Sequence, residues 1–158
     1  MRIAGIIRDS LVNGYGLRDV IFVQGCSHHC KGCHNPGTWD YEGGTYWTPG
    51  GIVRELSNSP NNITISGGEP LDQFDSLIRL LTIIKRDTKK NVWLYTGYTF
   101  SVDKYWVQQI DGLVDVVVDG EFVEEFHDPS LCFRGSSNQH LIDVTKSLDE
   151  GKTVEWEG

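Results

Sequence analysis

Four short runs rich in β-branched and aromatic residues punctuate the chain, and a glycine follows each of them directly. They cover residues 19–24, 62–66, 91–96 and 113–119. Runs of this composition that stop at glycine are typical of β-strands. Because hydrophobicity is nearly continuous along each run, the pattern predicts a parallel sheet covered on both faces.

Helical patterns between these runs give the alternation that is typical of an α/β fold. With Asp72 as N-cap, one helix is predicted from apolar residues at helical spacing: Phe74, Leu77, Ile78, Leu81 and Ile84. Weaker helical patterns cover residues 51–59 and 101–110. About four strand–helix units fit in this chain, whereas a closed barrel has eight and takes ~250 residues. We therefore expect one α/β domain over residues 1–158, built as an open, partial parallel β/α barrel.

The loops that follow the predicted strands carry the most distinctive residues of the chain. A cysteine-rich segment follows the first strand, and the sequence Gly-Gly-Glu-Pro, residues 67–70, follows the second. Glycine-containing loops follow the third and fourth strands. Because the carboxyl ends of parallel strands meet at one edge of a sheet, where ligands gather, we expect these loops to form one site.

Three cysteines lie within eight positions of the first loop, at Cys26, Cys30 and Cys33, while Cys132 is far along the chain. In a reducing compartment, such spacing indicates metal ligands or catalytic thiols before disulfides. A structural zinc site takes four ligands, and an ordinary iron–sulfur cluster takes four cysteines. Three local thiolates therefore favour an iron–sulfur cluster with one iron open to another ligand. Cys132 is expected to be a semi-buried or surface thiol.

Spacing alone leaves other interpretations open. In one, His28, His29 or His34 completes a Cys3His zinc site. In the other, the three cysteines bind no metal and are small buried apolar residues. Residues 67–70 would by themselves be a strand-to-helix turn with a solvated glutamate. Next to a cysteine loop, however, the two glycines would let a ligand approach the backbone, and Glu69 would pair with an ammonium group.

The cysteine loop after the first strand and the Gly-Gly-Glu motif after the second together resemble the radical S-adenosylmethionine (radical SAM) superfamily. The resemblance implies that the three clustered cysteines hold a 4Fe–4S cluster whose open iron chelates SAM. It also implies that Gly67, Gly68 and Glu69 contact the methionine part of SAM. Many members have an aromatic residue before the third cysteine, where this chain has Gly32. Adenine contacts are therefore expected from the backbone around Gly32, Cys33 and His34.

Longer segments resemble one family of glycyl-radical activases, the anaerobic ribonucleoside-triphosphate reductase-activating proteins. These segments are residues 9–18, 33–40, 114–122 and 133–143. The resemblance implies an oxidoreductase in which the reduced cluster cleaves SAM, and the 5′-deoxyadenosyl radical takes a hydrogen atom from one glycine of the large reductase subunit. It implies two partners, that subunit and a one-electron donor such as a flavodoxin-like protein. No catalytic side chain is expected beyond the cluster and SAM.

The chain departs from this family at His140, where an arginine is usual, and its acidic tail, residues 148–158, lies outside the resemblance. Three other functions stay open at this point. They are an activase for another glycyl-radical enzyme of the pyruvate formate-lyase type, a non-catalytic zinc-binding module, and an electron-transfer ferredoxin. The missing fourth ligand and the Gly-Gly-Glu loop count against the ferredoxin.

Charge and hydropathy exclude several classes of partner. With 14 basic against 22 acidic side chains, the net charge of −8 is poorly suited to a phosphate backbone, so no direct nucleic-acid partner is expected. No segment has the roughly 20 apolar residues of a membrane span, and the N-terminus lacks the pattern of a signal peptide. We expect a cytoplasmic protein without membrane contact.

Overall fold

The predicted alternation of strands and helices is present in a computed structural model that describes residues 1–158. The strands are β1 (Arg2–Ser10), β2 (Arg18–Val23), β3 (Thr45–Tyr46), β4 (Asn62–Gly67), β5 (Val92–Tyr95), β6 (Val116–Asp119) and β7 (His140–Asp143). The α-helices are α1 (Pro49–Leu56), α2 (Phe74–Asp87), α3 (Tyr105–Gln109) and α4 (Val144–Glu150). Short 3-10 helices cover Pro36–Thr38, Pro70–Gln73 and Glu124–Phe126. No helix has the length and apolar composition needed to cross a lipid bilayer.

The strands form one open, seven-stranded sheet in the order β3-β1-β2-β4-β5-β6-β7. The four strands expected from the sequence, β2, β4, β5 and β6, are its parallel centre. The expectation of a wholly parallel sheet is wrong, because β1 and β3 add antiparallel strands at one edge and β7 adds another at the opposite edge. The antiparallel strands are inconspicuous in the sequence, since Arg8 and Asp9 interrupt β1 and β7 has only four residues.

Helices cover only one face of the sheet. On β5, Val92 and Leu94 point into a core of 22 buried residues that includes side chains of α1, α2 and α3. Trp93, between them, points to the opposite face and packs at 5.0 Å, ring centroid to ring centroid, against Trp156 of the C-terminal tail. Both faces are therefore covered, which explains the continuous hydrophobicity of the central strands, but loops and the tail cover the second face.

The helix boundaries differ from those expected, and side-chain hydrogen bonds accompany two of the differences. Asp72 is not the N-cap of α2, because its carboxylate instead accepts the backbone N–H of Ser27 at 2.9 Å. Helix α1 ends at Leu56, and both the N–H and the hydroxyl of Ser57 donate to the carbonyl oxygen of Arg54, at 3.3 and 2.8 Å. Helix α3 is a short segment within the predicted range 101–110.

One buried arginine ties the amino-terminal ends of the central strands together. Arg18 is 1% exposed, and each of its five N–H groups donates to an oxygen. The acceptors are Tyr15 O, Ile63 O, Thr64 Oγ1, Asn91 O and Asn91 Oδ1. Burial lowers the pKa of Arg18 to about 10, so the guanidinium stays charged at neutral pH. It also lies 5.2 Å from the centre of the Trp93 ring, in cation–π contact.

Candidate metal and cofactor site

The loops that follow the four parallel strands meet around an open cavity of about 220 Å³ at the carboxyl edge of the sheet. Gly32 does not line this cavity. The other residues expected at the site do line it: Cys26, Cys30, Cys33, His34, Gly67, Gly68 and Glu69. The topology therefore brings the cysteine loop and the Gly-Gly-Glu motif to the same place.

The three cysteines occupy a compact loop on one side of the cavity. Cys26 is 9% exposed, Cys30 and Cys33 are half-buried, and the N–H of Cys33 donates to the Cys30 carbonyl at 3.1 Å. Burial raises the pKa of both Cys26 and Cys30 above the ordinary thiol value. Such thiols are weak nucleophiles at neutral pH, and a bound cation would stabilise their thiolate forms.

The donor set fits a cluster held by three cysteines. Cys132 is exposed and does not line the cavity. No group of three or more His, Cys, Asp or Glu side chains converges on a point that would hold a single metal ion. In a 4Fe–4S cluster each cysteine binds its own iron, so the thiols need to share a cavity rather than a single point.

Glu69 connects three of the loops and is almost fully buried, with 1% exposure. Its Oε1 accepts the backbone N–H of Leu71 and the hydroxyl of Thr96, both at 2.9 Å. Its Oε2 accepts the backbone N–H of Gly97 at 2.8 Å and faces Nε2 of His28 at 2.9 Å. The carboxylate therefore has four donors, and it joins the cysteine loop to the ends of β4 and β5.

His28 is the residue at this site that the sequence did not reveal, since it was considered only as a zinc ligand. Its second ring nitrogen, Nδ1, faces Oε1 of Glu121 at 3.0 Å, and its ring packs edge-on against Tyr98 at 4.7 Å. The hydrogen bond to Glu69 raises the pKa of His28 against the effect of burial, and Glu121 raises it further. A protonated His28 donates to both carboxylates and links the cysteine loop to the loops after β4 and β6.

Glu69→Gln is expected to lower the free energy of unfolding by about 1–3 kcal/mol, because an amide can offer only one acceptor oxygen to four donors. Urea unfolding of the metal-free chain measures the change. Glu125→Gln is the matched control, since Glu125 is exposed, and its stability should stay within about 0.5 kcal/mol of the wild type. Equal stability of Glu69→Gln would contradict the connecting role of this carboxylate.

The two glycines of the motif make room for the protein's own backbone. A Cβ on Gly67 would lie 2.5 Å from the nitrogen of Val23, and one on Gly68 would lie 2.1 Å from the carbonyl oxygen of Gly25. In the space that remains, the N–H of Gly68 donates to Val23 O at 2.9 Å, and the N–H of Glu69 donates to Gly25 O at 2.8 Å. The end of β4 thus packs directly on the base of the cysteine loop.

Gly68→Ala is expected to destabilise the protein by about 1–3 kcal/mol, since the added methyl group meets backbone that cannot turn away. Gly50→Ala is the matched control. Gly50 lies in α1 with open space around it, so alanine there should stabilise by about 0.4–1 kcal/mol. Thermal unfolding of both variants checks the contrast, and equal transition temperatures would refute the close packing.

Residues 133–143 fasten the loop that follows β6. Gln139 accepts the N–H groups of Gly135 and Ser136 through Oε1, and its Nε2 donates to the carbonyl oxygen of Gly120 at 2.9 Å. The hydroxyl of Ser136, which is fully buried, accepts the N–H of Val123 at 3.2 Å. These contacts give the segment a structural role beside the cavity.

Two polar residues at the same edge, Thr96 and Asp119, also serve the architecture. Thr96 donates to Glu69, and Asp119 accepts the backbone N–H of Phe100 at 2.7 Å. The other oxygen of Asp119 lies 3.1 Å from Nδ1 of His140, the residue that stands where the resembling family has arginine.

Comparison with known proteins agrees with the composition of this site. A family model described as a 4Fe-4S single cluster domain matches residues 12–142. The chain is 37% identical over 138 residues to the anaerobic ribonucleoside-triphosphate reductase-activating protein of Escherichia coli (strain K12), which covers 82% of this chain and 90% of that relative.

Proteins of the same name from a second bacterium and from a bacteriophage are similar to this chain as well. The protein of Vibrio cholerae is 36% identical, covering 82% of this chain and 89% of the relative. The protein of Enterobacteria phage T4 is 36% identical, covering 87% of this chain and 90% of the relative. With the matching 4Fe-4S domain and this extent of identity, the chain belongs to the family of anaerobic ribonucleoside-triphosphate reductase-activating proteins.

Proposed function

We propose that this chain is a radical SAM activating enzyme that generates a glycyl radical on the large subunit of anaerobic ribonucleoside-triphosphate reductase. The observation that carries the proposal is the single cavity that three loop cysteines and the Gly-Gly-Glu motif line together. The names of the relatives, which cover most of the chain, supply the partner.

Cys26, Cys30 and Cys33 would hold a 4Fe–4S cluster with one iron open to SAM. When bound, this cluster supplies the single electron that cleaves the sulfur–carbon bond of SAM. The residues proposed to hold SAM are Gly67, Gly68 and Glu69 for the methionine part and the backbone of Gly32, Cys33 and His34 for adenine, of which Gly32 lies outside the cavity itself. No other side chain is assigned a catalytic role.

The hydrogen bonds of Glu69 suggest how the methionine part would be bound. Protein donors occupy both oxygens of this carboxylate, and three of them come from backbone N–H groups or the buried Thr96 hydroxyl. His28 is the remaining donor, and it belongs to the cysteine loop rather than to a strand end. An incoming ammonium group would therefore compete with His28 for Oε2 of Glu69.

The proposal extends to the fold and to the surroundings of the protein. We interpret the open sheet and its helices as one radical SAM domain over residues 1–158, a partial β/α barrel with the cofactor cavity at its carboxyl edge. A one-electron donor such as a flavodoxin-like protein would reduce the cluster. The four free cysteines suit a reducing compartment, and we place the protein in the cytoplasm.

Anaerobic reconstitution with iron and sulfide tests the proposal. A brown protein that converts SAM to 5′-deoxyadenosine and methionine with a chemical reductant is expected. After addition of the reductase, electron paramagnetic resonance should show a glycyl radical on the large subunit. A colourless protein with stoichiometric zinc would overturn the cluster, and a radical on pyruvate formate-lyase but not on the reductase would overturn the partner.

A further inference from the structure

A second cavity, of about 540 Å³, adjoins the cofactor cavity. Asn13, His34, Tyr95 and Gly135 line both, so the two spaces are direct neighbours. We call the second cavity the entry groove. Its other walls, from the loop after β1 and the segment after residue 128, are Leu11, Val12, Pro129, Leu131, Cys132, Phe133 and Arg134.

The entry groove displays apolar side chains on a fixed backbone. Leu11 and Val12 are 66% and 76% exposed. Their loop is held from below, because the N–H of Val12 donates to Ser10 Oγ at 3.3 Å and the buried Thr64 hydroxyl donates to Asn13 O at 2.7 Å. Exposed apolar side chains that rigid anchors hold beside a functional cavity indicate an interaction surface.

The charge of the groove differs from that of the whole chain. The chain has a net charge of −8, yet no acidic residue lines the groove and Arg134 is its one permanent charge. Glu69 and Glu121 line the cofactor cavity but not the groove. The apolar walls therefore suit an apolar polypeptide segment, and the absence of acidic residues disfavours a cationic ligand.

We propose that the entry groove binds the reductase segment that carries the target glycine, in an extended conformation with apolar residues beside the glycine. This inference rests on the proposed function. The α-carbon of a glycine must reach the cofactor cavity, and the groove lies beside that cavity, with Asn13 and Gly135 in the walls of both. An extended chain advances about 3.3 Å per residue, so the residues beyond the glycine would pass over Leu11 and Val12.

The test compares the double variant Leu11→Asp/Val12→Asp with Tyr105→Asp. Tyr105 is 69% exposed and does not line the entry groove, which makes it a matched apolar-to-acidic control. Affinity of each reconstituted, SAM-loaded protein for the intact reductase is measured anaerobically by interferometry. The double variant should bind at least about tenfold more weakly, and the control should bind like the wild type.

Maleimide labelling of Cys132 is a second test, and it needs no substitution. The thiol of Cys132 is exposed, lines the groove and lies outside the cofactor cavity. Intact reductase should slow maleimide labelling of Cys132 in the reconstituted protein. Unchanged affinity of the double variant, unprotected Cys132, or a dimer of the free chain that the double substitution dissociates would each overturn the groove assignment. A wild-type protein that does not bind the reductase would instead overturn the proposed function.

Discussion

Cys30→Ser is expected to abolish the iron–sulfur chromophore, while Cys132→Ser should keep the iron and sulfide content of the wild type. The physical reason is that only three thiols line the cofactor cavity, so the loss of one leaves two ligands for a cluster that uses three. Cys132 is exposed in the neighbouring groove and contributes no ligand. Iron and sulfide analysis after anaerobic reconstitution, with visible absorption spectra, measures the difference.

The same experiment on Cys26→Ser and Cys33→Ser should give the result of Cys30→Ser. The stability of each variant without metal, from urea unfolding, separates loss of ligation from loss of the fold. If Cys132→Ser removed the cluster, a fourth thiolate would have to reach the iron, and the open coordination site proposed for SAM would have to be abandoned.

Arg18→Met is expected to lower the free energy of unfolding by about 3–5 kcal/mol. Methionine can occupy much of the volume beside Trp93, but it removes five hydrogen bonds, two of them to the buried acceptors Thr64 Oγ1 and Ile63 O. Arg18→Lys should lose less, since an ammonium group keeps the charge but has only three donors. Urea unfolding of the metal-free chain measures both effects.

Arg79→Met is the control for this prediction, because Arg79 is exposed on α2 and its loss should change stability by no more than about 0.5 kcal/mol. Wild-type stability in Arg18→Met would mean that the five hydrogen bonds only offset the cost of burying the guanidinium. In that case the arginine would not be what holds the ends of β2, β4 and β5 in register.

The sequence predicted the centre of the fold because that part follows local rules. The parallel strands are rich in β-branched and aromatic residues and stop near glycine, and α2 has a clear helical period from Phe74 onwards. The antiparallel edge strands were missed because β1 contains charged residues and β7 is very short. Asp72 was misplaced because its hydrogen-bond partner, Ser27, belongs to a segment distant in sequence.

The residues of the candidate site were predictable to the extent that a motif marked them. Cysteine spacing and the Gly-Gly-Glu motif indicated the loops that line the cavity. The pairing of His28 with Glu69 and Glu121 could not be predicted, because it depends on three loops that only the folded sheet brings together. Likewise, the sequence suggested that Gly67 and Gly68 admit a ligand, whereas in the structure backbone from β2 and Gly25 occupies the space beside them.

Both edges of the sheet are protected against pairing with another chain. One outer strand, β3, has only two residues, and the C-terminal tail covers the other, with Asp143 N–H donating to Val154 O at 3.0 Å and Trp156 N–H donating to Leu141 O at 2.8 Å. Long unpaired strands are templates for edge-to-edge aggregation. β3 pairs only with Arg2 and Ile3 of β1, and two bulges together with the charged Arg8 and Asp9 interrupt the rest of that strand. The open carboxyl end of the sheet is therefore not accompanied by a regular side edge on which a second copy of the chain could add a strand.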